Sequence, residues 1–126
     1  MTENIHAKEA REFRKTFEVN HSTITACKLI QEEHDEFMES YFKFLSPARG
    51  DSYEEVASAM LKELADLVYV CYQYALTLDL DLDEALTRVH KSNMSKLDEE
   101  GKIIRREDGK ILKGPRYAPP NLHDLV

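Results

Sequence analysis

Two short acidic motifs have residue types and spacings suited to metal chemistry: Glu32-Glu33-His34-Asp35-Glu36 and Glu63-Leu64-Ala65-Asp66. Each holds a pair three residues apart. On a helix, side chains at i and i+3 lie one above the other, so Glu33 with Glu36, and Glu63 with Asp66, each aim at one point. Antiparallel packing of two such helices gathers four carboxylates into the hard, oxygen-rich environment that Mg²⁺ prefers, with Mn²⁺ as a substitute. Acidic pairs on helices are more often a solvated face, and the apolar pattern decides between the two readings. At about 100° per residue, Val56, Met60, Leu67 and Tyr74 fall in one narrow arc with Glu63 inside it, and Asp66 at its edge beside Ala59 and Val70. On the other helix Glu33 borders the stripe of Ile30, Phe37 and Phe44, with Glu36 one step further out. A carboxylate facing a core must be neutralised, paired or metal-bound. Glu39 and Glu55 fall outside this convergent set.

The charge balance points the same way. Lys plus Arg total 17 against 24 for Asp plus Glu, a net charge of −7, which is the wrong sign for gripping a nucleic-acid backbone. A polyphosphate is repelled as well unless a cation is interposed, and carboxylate-bound metal supplies one.

Helices must position these motifs. Ala10, Phe13 and Phe17 give a first helix over roughly Ile5 to Val19 an apolar face. A second, about Thr23 to Leu45, places Cys27, Ile30, Phe37, Tyr41 and Phe44 on one side. After the Ser46-Pro47 and Arg49-Gly50-Asp51 loop, Ser52 with Glu55 reads as a capping box. It opens a third helix to about Leu78, with Val56, Met60, Leu64, Leu67, Cys71 and Ala75 inward. Asp79 to Asp83 caps a fourth, to about Leu97, on which Asn93 and Lys96 share a face with Lys91 nearby as cationic and polar contacts for phosphate. Beyond it, Ile103-Ile104 and Ile111-Leu112 flank Glu107-Asp108-Gly109 and predict a small β-hairpin. Gly114-Pro115 and Pro119-Pro120 predict an extended tail laid on a surface.

The fold expected is therefore all-α, four helices with a small C-terminal β-hairpin and an extended tail, as a single domain over residues 1–126. The polar start and the absence of a long apolar run predict a cytoplasmic protein without membrane partners. The apolar stripes exceed what four helices cover, which predicts a homodimer or homotetramer. Cys27 and Cys71 read as small buried hydrophobes, and His34 as a core or interface histidine.

With Glu33-His34-Asp35-Glu36 and Glu63-Leu64-Ala65-Asp66 in place, preceded by Leu29-Ile30-Gln31-Glu32 and followed by Leu67-Val68-Tyr69-Val70, the sequence resembles the all-α nucleotide pyrophosphohydrolases. These comprise MazG-like proteins, dimeric dUTPases and phosphoribosyl-ATP pyrophosphohydrolase. The stretch Val89 to Leu97 and the tail Lys113 to Pro120 resemble short MazG-like proteins of phages, some of which, called MazZ, favour guanine nucleotides. The resemblance implies a four-helix MazG-like bundle that cleaves (deoxy)nucleoside triphosphates to monophosphates between the α- and β-phosphates, with a metal-activated water. It also implies that Glu33, Glu36, Glu63 and Asp66 ligate the metal and that Glu32 orients or deprotonates the water; the face shared by Asn93 and Lys96, with Lys91 nearby, makes these three the substrate-binding candidates. Phosphoribosyl-ATP hydrolysis and a non-catalytic helical adaptor are the rival functions. Di-iron chemistry needs Glu-x-x-His on two helices, and Glu18-Val19-Asn20-His21 sits at a helix end while Glu3-Asn4-Ile5-His6 sits at the terminus.

Overall fold

A computed structural model describes residues 4–126; among them are four α-helices in two compact units that divide between Leu80 and Asp81. Glu3 of the Glu3–His6 spacing lies outside the described residues. No described helix is long and apolar enough to cross a membrane.

The first unit holds α1 (Ile5–Thr16), α2 (Thr23–Leu45) and α3 (Tyr53–Thr77). Each starts where a polar side chain satisfies free backbone amides. Asn4 accepts from the amides of His6 and Ala7 at 2.9 and 3.0 Å, Ser22 from Thr25 at 3.2 Å, and Ser52 from Glu55 at 3.1 Å. The ends are equally local. α1 stops as Glu18 turns left-handed (φ 49°) and Val19 N–H donates to Arg14 C=O at 2.9 Å. α3 stops likewise at Asp79 (φ 55°), with Leu80 N–H reaching Ala75 C=O at 2.8 Å.

α2 and α3 are joined by the short loop 46–52, so they pack antiparallel, and α1 lies on α3. A buried amide fixes that second contact. Gln73 is 7% exposed; its Nε2 donates to Ala10 C=O at 3.0 Å, and its Oε1 accepts from Arg14 Nη1 at 3.2 Å. Ala7, Ala10, Ala26, Val56, Tyr72 and Ala75 make up the buried apolar set. It is dominated by alanines, which let helices approach closely but bury little area. Several residues expected inward are therefore at the surface: Cys27, Phe13, Tyr41 and Leu64 are exposed, and His34 faces solvent beside Asp35.

The second unit is α4 (Leu82–Met94) followed by irregular chain ending in a 3₁₀ turn, His123–Leu125. Asp81 caps α4 by accepting from Glu84 N–H at 3.0 Å. The helix ends earlier than the sequence suggests, so Lys96 falls in the closing turn and not on the helix face with Asn93.

The expected hairpin is not formed. Arg106 N–H meets Lys110 C=O and Leu112 N–H meets Ile104 C=O, both at 2.8 Å, but the pairing amounts to an isolated bridge, Arg105 with Ile111, and the described residues contain no strand. The turn chemistry was right, with Gly109 at φ 88°. What fails is burial: Ile103 and Ile111 are about half exposed, and a two-stranded ribbon without a covered face is marginal in water.

The tail lies along α4. Gly114 passes so near the end of that helix that a Cβ there would sit 2.7 Å from the carbonyl oxygens of Lys96 and Leu97. Further on, Ser92 Oγ donates to Ala118 C=O at 2.8 Å, Ala118 N–H donates to Ser95 Oγ at 3.0 Å, and Arg88 pairs with Asp124.

Candidate metal centre

α2 and α3 carry the two acidic motifs to the same point of the first unit. One oxygen each from Glu33, Glu36 and Glu63 lies within 4.8 Å of the others. Oxygens on opposite sides of a Mg²⁺ ion are about 4.2 Å apart, so the trio has the scale of a divalent coordination shell.

The trio also needs a cation. Glu33 Oε2 and Glu63 Oε2 are buried and have no hydrogen-bond partner among the described residues. Such acceptors lose their hydration for nothing unless something positive occupies the space between them. Burial first, then the hydrogen bond and charge of Glu36, and then the charges of Asp66 and Glu63, push the Glu33 carboxyl above the ordinary range. A proton relieves this repulsion at low pH, and a metal ion would relieve it at neutral pH. The residues present therefore fit a divalent cation.

Asp66, the fourth acid of the motif, adds its charge to Glu33 but is not part of the mutually close trio. Its Oδ2 is ion-paired at 2.7 Å with Lys62 Nζ, which also lies 3.5 Å from Glu63 Oε1. Nothing in the sequence marks Lys62 for a role. It sits one turn before Asp66 on α3, where a lysine between acids reads as ordinary surface patterning. Glu32 is exposed on α2, one position from Glu33 and turned about 100° around the helix.

Beside Glu36 and Glu63 a cavity of about 540 Å³ runs between α2 and α3 toward the 46–52 loop. Glu39, Lys43, Asp51 and Glu55 line it with the half-turn Ser40, which is 8% exposed. Glu39 and Glu55 therefore border the site, although both fall outside the convergent set that the sequence predicts. Lys43 lies 3.5 Å from Glu39. The helix spacing 36, 39, 40, 43 was the available signal, since it marks one continuous face.

Lys91 and Asn93 are exposed at the end of α4, and Lys96 is half-buried in the turn that follows, all in the second unit.

No curated protein matches the chain significantly. The family profile described as phosphoribosyl-ATP pyrophosphohydrolase matches residues 5–93, which takes in α1, α2 and α3 with both acidic motifs and nearly all of α4. Helices that bring Glu33, Glu36 and Glu63 together thus lie wholly within the matched region, and the chain belongs to the phosphoribosyl-ATP pyrophosphohydrolase family of the all-α, MazG-like nucleotide pyrophosphohydrolases.

Proposed function

We propose that this chain is a metal-dependent nucleotide pyrophosphohydrolase that converts (deoxy)nucleoside triphosphates, guanine nucleotides among them, to monophosphates. The observation that supports it is the convergence of Glu33, Glu36 and Glu63 around two buried, unpartnered carboxylate oxygens. Glu33, Glu36 and Glu63, joined by Asp66, would hold the divalent cation. What such a cation supplies when bound is positive charge that offsets the polyphosphate and makes a water molecule more acidic. Glu32 then orients the water and accepts its proton as the oxygen attacks the α-phosphorus and the bond to the β-phosphate breaks, with pyrophosphate leaving. Lys91, Asn93 and Lys96 are proposed to bind the phosphates.

A second reading, phosphoribosyl-ATP as the substrate, is favoured by the description of the matching family. Incubation with each ribo- and deoxynucleoside triphosphate and with phosphoribosyl-ATP, in Mg²⁺, followed by chromatography, separates the two. Monophosphate and pyrophosphate from a triphosphate are expected. Turnover of phosphoribosyl-ATP alone would transfer the assignment to the second reading, and no turnover of any substrate would leave a non-catalytic adaptor.

We also propose that the protein is a homodimer or homotetramer. Leu61, Leu64 and Val68 form an exposed stripe on α3 that lines a groove of about 370 Å³ together with Tyr69 and Tyr72, and the first unit buries few large side chains of its own. Sedimentation at micromolar concentration is expected to give at least a dimer; a monomer would count against it.

A further inference from the structure

Of the four motif acids, three form a mutually close group, and the fourth, Asp66, is near enough for its charge to act on Glu33 but is held in an ion pair. The partner of that fourth acid is a lysine: Lys62 Nζ lies 2.7 Å from Asp66 Oδ2 and 3.5 Å from Glu63 Oε1. We propose that Lys62 exchanges partners as the site loads. In the metal-free protein its ammonium holds Asp66; when a divalent cation takes Asp66, Lys62 is released to grip the phosphates of the nucleotide. This rests on the metal-dependent reading above.

Three features support the exchange. The side chain of Lys62 is 66% exposed, and an exposed ion pair is weak enough to yield to a divalent ion already held by three carboxylates. Lysine preceding the acid by four residues is the less favourable order for stabilising a helix, so the pair gains little from α3 itself. A lysine is also a compact charge on a flexible four-carbon stem, able to swing from a carboxylate to a neighbouring phosphate without moving the backbone. Apart from Lys43, the charged residues lining the cavity adjoining Glu36 and Glu63 are all acids, and Lys43 already lies against Glu39. A polyphosphate brought here needs cations besides the metal, and within the first unit Lys62 is in contact with Glu63 and Asp66, two of the acids that would hold the ion, which adds it to the phosphate contacts proposed for Lys91 and Lys96.

The test uses Lys62→Met, Lys62→Arg and Glu63→Gln in the full chain. Titration calorimetry with Mn²⁺ alone reads the competition. In Lys62→Met, loss of a competing, repelling charge should tighten Mn²⁺ binding about threefold to tenfold. Steady-state kinetics read the second half of the exchange: KM for a hydrolysed nucleoside triphosphate should rise about tenfold in Lys62→Met with kcat little changed, and Lys62→Arg should recover most of it. Unchanged or weaker Mn²⁺ binding in Lys62→Met, which is the result if Lys62 merely orients Asp66 as a ligand, overturns the exchange. So does an unchanged KM. If the wild-type protein takes up no Mn²⁺, or Glu63→Gln binds it as tightly as wild type, the metal reading itself fails and the exchange falls with it. Intact wild-type binding with an unmoved Lys62→Met overturns the exchange alone.

Discussion

Replacing Glu63 by Gln should lower hydrolysis by about 10²- to 10⁴-fold while leaving the fold as stable as before or more so. Gln keeps the shape of the side chain and removes the charge that would hold a cation. Its amide also brings a donor to a place where two carboxylate oxygens, Glu33 Oε2 and its own Oε2, are buried without partners. Relief of like-charge repulsion and satisfaction of an orphaned acceptor both favour the folded state. Loss of activity with gain of stability is the signature of a group kept for function. The comparison needs an acid remote from the cavity, and Glu54→Gln serves: Glu54 is exposed in the first turn of α3, so its change should alter rate by no more than a few-fold. Each substitution removes one negative charge from a net of −7, so long-range repulsion of substrate is altered alike. Glu39 and Glu55 are unsuitable controls because both line the cavity next to Glu63. Ordinary turnover by Glu63→Gln in Mg²⁺ would end the four-carboxylate mechanism.

The helices and the facing of each acidic pair are legible because they depend on contacts within a few residues, and the apolar phase of α2 and α3 together with the short 46–52 loop then brings the two pairs together. Ser22, Ser52 and Asp81 cap helices where their side chains meet amides three residues on, and the i, i+3 acids inherit the helical face. Glu63 was legible because its phase placed it among Val56, Met60 and Leu67, and the structure leaves only 21% of its side chain exposed. What was not legible depends on neighbours in space. The β-hairpin had correct turn residues but no surface to bury Ile103 and Ile111. Phe13 and Leu64 belong to apolar stripes, but a stripe identifies which face is apolar and not what covers it, and in this chain both remain exposed. Asp66 has the motif's spacing but pairs with Lys62 outside the mutually close trio, since that pairing is made by side-chain placement and not by position in the chain.

Thermal unfolding should show that nucleotide and divalent metal stabilise the protein together and that nucleotide alone does not. A cluster of acids repels a polyphosphate, so the nucleotide gains affinity for the folded state only after a cation is bound. At a hundredfold excess over its dissociation constant a ligand adds about 2.7 kcal/mol, a shift of several degrees in Tm for a domain of this size. The raised pKa of Glu33 sets the pH dependence. Between the ordinary value of 4.5 and its higher folded value, the folded protein keeps a proton that the unfolded chain has lost, so stability without metal declines as pH rises through that window. Asp108 and Asp124, held below the usual carboxylate range by Arg106 and Arg88, act in the opposite sense but titrate below 3.8, outside the window. Glu33→Gln should flatten the decline. A metal ion displaces that same proton, so stabilisation by Mg²⁺ should grow with pH over the range in which the metal-free protein weakens. Equal Tm shifts from nucleotide with and without Mg²⁺ would place nucleotide binding away from Glu33, Glu36 and Glu63, and a metal effect indifferent to pH would place the metal away from Glu33.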